Sequence, residues 1–170
     1  YYAKLMGLPV GRLVVAANEN NVLADFIADG VYDTRRPFIR TDSPSMDILV
    51  SSNLERLLFT ASGCDSEKVG KWMDSLAKTG VYTVDGETLA NIRAVFSAGY
   101  SIQAECDAEC ARIWRERRYL IDPHTAVAFA VLKKLGRGER KRVVLSTASP
   151  YKFPAAVLRS IGGGCSRGGI

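Results

Sequence analysis

Two stretches toward the C-terminal end most restrict the folds open to this chain. The first, Asp122-Pro123-His124-Thr125-Ala126-Val127-Ala128, reads as a helix start. Asp122 is the N-cap, Pro123 takes the first helical position, and an apolar-rich run continues to Leu135. The second runs from Val143 to Phe153 as Val-Val-Leu-Ser-Thr-Ala-Ser-Pro-Tyr-Lys-Phe. Val143 to Leu145 reads as a buried strand opening into a loop dense in hydroxyls. In an open α/β sheet, ligands bind in the crevice past the carboxyl ends of the strands. A strand ending in Ser-Thr-Ala-Ser therefore presents hydroxyls where a ligand would sit.

Upstream, Arg12 to Ala17 forms a short apolar run after a Gly-Leu-Pro-Val-Gly turn, hence a second buried strand. Asn18 ends it, and a helix with Val22, Leu23, Phe26 and Ile27 follows, closed by Gly30. This strand–loop–helix unit is half of a βαβ pattern. Val31 to Ser51, with Pro37 and Pro44, is irregular, and loops this long are usually functional or covering. Helical segments are expected at Asn53–Ala61, Ser66–Lys78, Gly86–Phe96 and Ala104–Arg117, and a last one at Pro154–Ser160. Tyr82-Thr83-Val84 adds a short extended piece. The pattern predicts an α/β sheet domain over residues 1–161 with a helical insertion over about 52–117. Residues 162–170 read as a flexible Gly-rich tail, and no internal repeat stands out.

Composition narrows the function classes. An apolar content of 47% supports one domain with a real core. No apolar run approaches the ~20 residues of a membrane span, and no signal peptide is evident. Tyr1-Tyr2-Ala3-Lys4 reads as the end of a helix stopped by Gly7-Leu8-Pro9, so a piece of a longer protein is expected. Cys106 and Cys110 share a helix face, but with a single His and no second Cys pair a zinc site is not expected. Reduced thiols and a cytoplasmic setting are the default. The net charge of +5 gathers at Arg112–Arg118 and Lys133–Arg142 and reads as solvated surface; the aromatic or groove-entering elements of a nucleic-acid surface are missing.

Five segments in order resemble the C-terminal half of threonine synthases, which are fold-type-II pyridoxal-phosphate enzymes. They are Tyr1-Tyr2-Ala3-Lys4-Leu5-Met6-Gly7-Leu8-Pro9, Ala16-Ala17-Asn18-Glu19-Asn20-Asn21-Val22-Leu23, Ser43-Pro44-Ser45-Met46-Asp47-Ile48, the Asp122 helix start, and Thr147-Ala148-Ser149-Pro150-Tyr151-Lys152-Phe153. The resemblance implies part of a three-layer Rossmann-like α/β sheet of the tryptophan synthase β-like kind. It also implies pyridoxal 5'-phosphate as cofactor and conversion of O-phosphohomoserine and water to threonine and phosphate. In the family the Schiff-base lysine and a Gly-Asn-Phe-Gly-Asn phosphate loop lie N-terminal to these segments. This sequence contains no such loop, and Lys152 fits no Schiff-base position, so the piece alone is expected to be inactive.

On the cofactor side, the resemblance implies that Thr147 meets the pyridine nitrogen. A hydroxyl can donate to an unprotonated ring nitrogen. Ser149, where one branch of the family has His, adds a hydroxyl facing the ring or its phosphate. Asn18, at a strand end, and Asp122, where related enzymes often carry Glu, complete the cofactor-binding set. Ser45, His124 and Lys152 are placed on the substrate side. Other readings are a non-catalytic α/β ligand-binding or interaction module, and a threonine dehydratase. Against the dehydratase stand the Thr147–Phe153 pattern and the helical insertion. Self-association of the piece is also expected, through apolar surface that the rest of a longer protein would cover.

Overall fold

A computed structural model describes residues 1–136 and 141–162. The elements in chain order are α1 (Tyr2–Leu5), β1 (Leu13–Ala17), α2 (Val22–Asp29), β2 (Val31–Asp33), a 3-10 turn (Pro44–Met46), α3 (Leu54–Ala61), α4 (Ser66–Thr79), β3 (Val81–Thr83), α5 (Gly86–Val95), β4 (Phe96–Tyr100), α6 (Gln103–Arg117), α7 (Pro123–Lys134), a second 3-10 turn (Pro150–Lys152) and α8 (Pro154–Ser160). β1 pairs with β4, and β2 with β3. The chain divides into two compact units, each assembled from three separate segments. Unit 1 comprises Tyr1–Val15, Asn21–Phe38 and Ile48–Gly99; unit 2 comprises Ala16–Asn20, Ile39–Asp47 and Tyr100 onward.

Unit 1 is built around a repeated local design. α2 ends at Gly30 and α4 at Gly80, each in the left-handed region at φ 77° and φ 75°. Only glycine takes this conformation cheaply. A Cβ at Gly30 would also stand 2.9 Å from Leu89, and one at Gly80 3.0 Å from Arg35. Each glycine opens directly into Val-Tyr, and the two Gly-Val-Tyr segments pair antiparallel with Tyr32 opposite Tyr82. The ladder is extended at both ends: Thr34 N–H donates to Gly80 O, and Val84 N–H to Gly30 O. Tyr32 and Tyr82 stack at 5.2 Å over Phe26, and with Leu58, Val69 and Ile92 they form the unit's core. β2 falls within the stretch that the sequence reads as irregular, and β4 continues a segment that it reads as helix alone.

In unit 2, α6 packs against α7 and α8. Cys106, Cys110 and Ile113 of α6 bury against Ile121, Ala126 and Val127. Burial raises both thiols, Cys110 to about 12, and Cys106 Sγ lies 3.1 Å from Ser101 Oγ. The two cysteines thus serve as small apolar core residues. Among the described residues no cluster of His, Cys, Asp and Glu is placed to hold a metal, and no helix is long and apolar enough to cross a membrane.

The strand expected at Val143–Leu145 is not formed. These residues have no regular structure, and Val143 and Leu145 are 84% and 76% exposed. A branched apolar triplet favours extended backbone, but a strand exists only with a hydrogen-bonding neighbour. Among the described residues none pairs with it. Of the expected Gly-rich tail, residues 163–170 lie outside the described residues, as do residues 137–140 of the basic run.

Candidate functional site

Every residue singled out by the sequence for a site falls in unit 2, and the first turn of α7 is its anchor. Asp122 caps α7 and is fully buried. Its Oδ1 accepts the backbone N–H of His124 at 2.9 Å and of Thr125 at 3.4 Å. Neutral backbone donors at a helix N-terminus suit a carboxylate, because the helix dipole favours negative charge there. The same oxygen lies 2.8 Å from His124 Nδ1, and Oδ2 accepts the Thr125 hydroxyl. Both carboxylate oxygens are therefore committed.

The tautomer of His124 follows from its partners. A carboxylate at Nδ1 places the ring proton there and leaves Nε2 as a lone pair. Nε2 accepts the backbone N–H of Ser45 at 3.2 Å. With both nitrogens engaged and the side chain buried, His124 holds structure and is not free to shuttle a proton. The Phe153 ring meets it edge-on at 4.9 Å. Thr125 Oγ1 is hydrogen-bonded to Ser146 Oγ at 3.4 Å.

Around Ser45, residues 39–47 are pinned by a second polar cluster. Asp47 Oδ1 accepts from Asn18 Nδ2 (2.7 Å), Thr41 Oγ1 (2.7 Å) and Asn20 Nδ2 (3.1 Å), while Oδ2 accepts the Thr41 N–H at 2.9 Å. Asn18 also reaches Ser43 Oγ at 2.9 Å, and its carbonyl accepts the Asn20 N–H at 3.0 Å. Asn20 is fixed in turn to both polar groups of Ile39. Asn18 and Asn20 are buried, so unpaired amides would be costly there; the loop supplies what they need. Sequence reasoning placed Asn18 but missed Asn20, Thr41, Ser43 and Asp47 as its partners, and it missed Thr125. The readable signal was Asn18-x-Asn20 at a strand end with Thr41-x-Ser43 and Asp47 in one loop: short side chains that satisfy backbone locally.

Thr147 and Ser149 occupy the exposed loop after Ser146. Ser149 caps the second 3-10 turn, its Oγ accepting the Tyr151 N–H at 3.3 Å. Thr147 Oγ1 has no hydrogen bond with other described residues, and Lys152 is exposed on the turn that Ser149 caps. Asn18, Asp122 and His124 are thus enclosed and engaged, whereas Thr147, Ser149 and Lys152 face outward.

A Pseudomonas aeruginosa threonine synthase is 38% identical over 164 residues, covering 94% of this chain and 34% of that protein. A crystal structure of pyridoxal-phosphate-bound threonine synthase from Brucella melitensis superposes with a TM-score of 0.91 at 42% identity, over 95% of this chain and 35% of the other. The chain is homologous to the C-terminal region of the threonine synthases. The family description "Threonine synthase, C-terminal" matches residues 125–167, which begin at the Asp122 network and include the hydroxyl loop. Human threonine synthase-like 1 is 34% identical over 161 residues, covering 94% of this chain and 22% of that protein. The chain spans about a third of the length of the threonine synthases it matches.

The donor set suits the ring-nitrogen end of the cofactor named in the Brucella structure. An outward, uncharged hydroxyl such as that of Thr147 can donate to a pyridine nitrogen. The Asp122 carboxylate is already engaged by His124 and Thr125.

Proposed function

We propose that this chain forms the C-terminal part of a pyridoxal-phosphate-dependent threonine synthase, which converts O-phosphohomoserine and water to threonine and phosphate. The observation carrying this reading is the superposition on a pyridoxal-phosphate-bound threonine synthase at 42% identity. When bound, the cofactor supplies an electron sink for chemistry at the substrate's carbons. With the cofactor bound, the Thr147 hydroxyl would donate a hydrogen bond to the ring nitrogen, which stays unprotonated. Ser149 contributes a second hydroxyl beside it. Lys152 and the Ser45 turn lie on the substrate side, where an ammonium suits a phosphorylated substrate. Asn18, Asp122 and His124 support this wall from behind, since their polar atoms are committed to the protein. The reading places the enzyme in the cytoplasm, acting on a small molecule, with no nucleic acid or membrane as partner.

The test is phosphate release from O-phosphohomoserine by the full-length protein. Activity is expected, and Thr147→Val should lower kcat by roughly a hundredfold, the cost of losing one well-placed donor, while Thr147→Ser retains most of it. Dehydratase activity without phosphate release would overturn the assignment, and full-length protein inert toward both substrates would point to a non-catalytic module.

A further inference from the structure

We propose that Asp122 is a positioning residue that sets two separate loops from one buried carboxylate. One arm runs from Oδ1 through the His124 ring to the backbone N–H of Ser45. The other runs from Oδ2 through the Thr125 hydroxyl to Ser146, the neighbour of Thr147. The inference rests on the reading of Thr147 and Ser45 as residues of the site, and it assigns Thr125 a task that the sequence did not suggest.

The geometry makes each arm directional. The carboxylate only accepts, so the donors facing it must be His124 Nδ1–H and the Thr125 hydroxyl. His124 is then left with a single acceptor, and Ser45 is the donor that fills it. A chain of this kind transmits orientation, since each partner's hydrogen position is dictated by the one before. The carboxylate, the imidazole and the Thr125 hydroxyl are all buried, so water cannot readily substitute for a lost partner. Ser45 and Ser146, at the far ends, are exposed. The fixed part is inside, and the positioned parts are those that a ligand would meet.

Because His124 is the only histidine of the chain, its imidazole gives a single, unambiguous NMR reporter. Long-range 1H–15N spectra of the 170-residue chain should show the Nδ1-protonated tautomer. His124→Phe should lower the hydrogen-exchange protection of the Ser45 amide by roughly 2- to 10-fold, the worth of one net hydrogen bond, and leave residues 146–147 unchanged. Thr125→Val should shift the amides of Ser146 and Thr147 while the His124 tautomer and Ser45 protection persist. Asp122→Asn should disturb both arms. If both single-arm variants disturb both loops alike, or if the wild-type ring carries its proton on Nε2, the two-arm assignment is overturned. Should Asp122→Asn fail to fold, His124→Phe and Thr125→Val still decide the matter.

Pyridoxal-phosphate titration of the full-length variants, followed by absorbance, separates this inference from the functional reading. Weaker cofactor binding in Thr125→Val than in His124→Phe is expected. Separable loop effects with no cofactor binding even by wild type would sink the functional reading and spare the network. Cofactor binding without separable loop effects would do the reverse.

Discussion

Asp122 and Glu109 are both buried carboxylates, yet they are satisfied by opposite means. Asp122 is surrounded by uncharged N–H and O–H donors, whereas Glu109 is held by charge. Its Oε2 accepts from Arg112 at 2.6 Å and its Oε1 from Lys133 at 3.0 Å. Burial pushes the Glu109 carboxyl up, but these two cations outweigh it and hold it below its ordinary value of 4.5. A depressed carboxyl contributes stability that is complete above the unfolded value and is lost as pH falls through the folded one. Glu109→Gln should therefore cost about 1–3 kcal/mol at neutral pH, the scale of an unpaired buried partner. The gap should close below pH 4.5 as wild type loses the same charge. Urea unfolding followed by Trp114 fluorescence in a Trp72→Phe background checks this. A gap that persists unchanged at low pH would refute it.

At the scale of elements, the two paired Gly-Val-Tyr segments of unit 1 carry an unsatisfied buried hydroxyl. The Tyr82 hydroxyl is buried without a hydrogen-bond partner among the described residues, and burial beside Tyr32 pushes its pKa up. An orphaned buried hydroxyl costs about 1–3 kcal/mol. Tyr82→Phe keeps the stack on Tyr32 and removes the orphan, so it should raise the thermal midpoint or leave it unchanged; a clear fall would show that the hydroxyl has a partner. The same region shows what could be read in advance. Helices α3, α4, α5, α6 and α8 were legible because apolar spacing is local, and α7 because Asp122 reads as its cap. Asp65 and Asp85, which accept the Lys68 and Thr88 N–H at the starts of α4 and α5, were not singled out. β2 follows Gly30 but is only three residues long, and β4 begins directly where α5 stops, with no turn residue between them. Val143–Leu145 errs the other way, since its composition asks for a strand and no described neighbour supplies one. For the proposed site, the sequence offers the motif residues but not their division into enclosed and outward-facing groups. That division depends on which loop returns to meet them.

For the whole molecule, exposed apolar side chains matter most. Val143, Leu145 and Tyr151 are each more than three-quarters exposed in unit 2. Exposed apolar surface of this kind favours association. The 170-residue chain should elute from size exclusion as a dimer or larger, and Val143→Ser with Leu145→Ser should shift it toward monomer; a clean wild-type monomer would count against this. The interleaving of the two units along the sequence carries a further consequence for anyone seeking a smaller working piece. Each unit is drawn from three separate segments. A cut after Gly99 keeps every segment of unit 1 with two short pieces of unit 2 between them, but no single cut keeps unit 2 whole without most of unit 1. A C-terminal truncate beginning at Tyr100 would keep Asp122, Thr125 and Thr147 but discard Asn18, Ser45 and Asp47. It would retain the carboxylate and lose one of the two loops that the carboxylate holds. A minimal version of unit 2 would have to be rewired by circular permutation or grafting, because any N-terminal trim that removes unit 1 also removes Ala16–Asn20 and Ile39–Asp47.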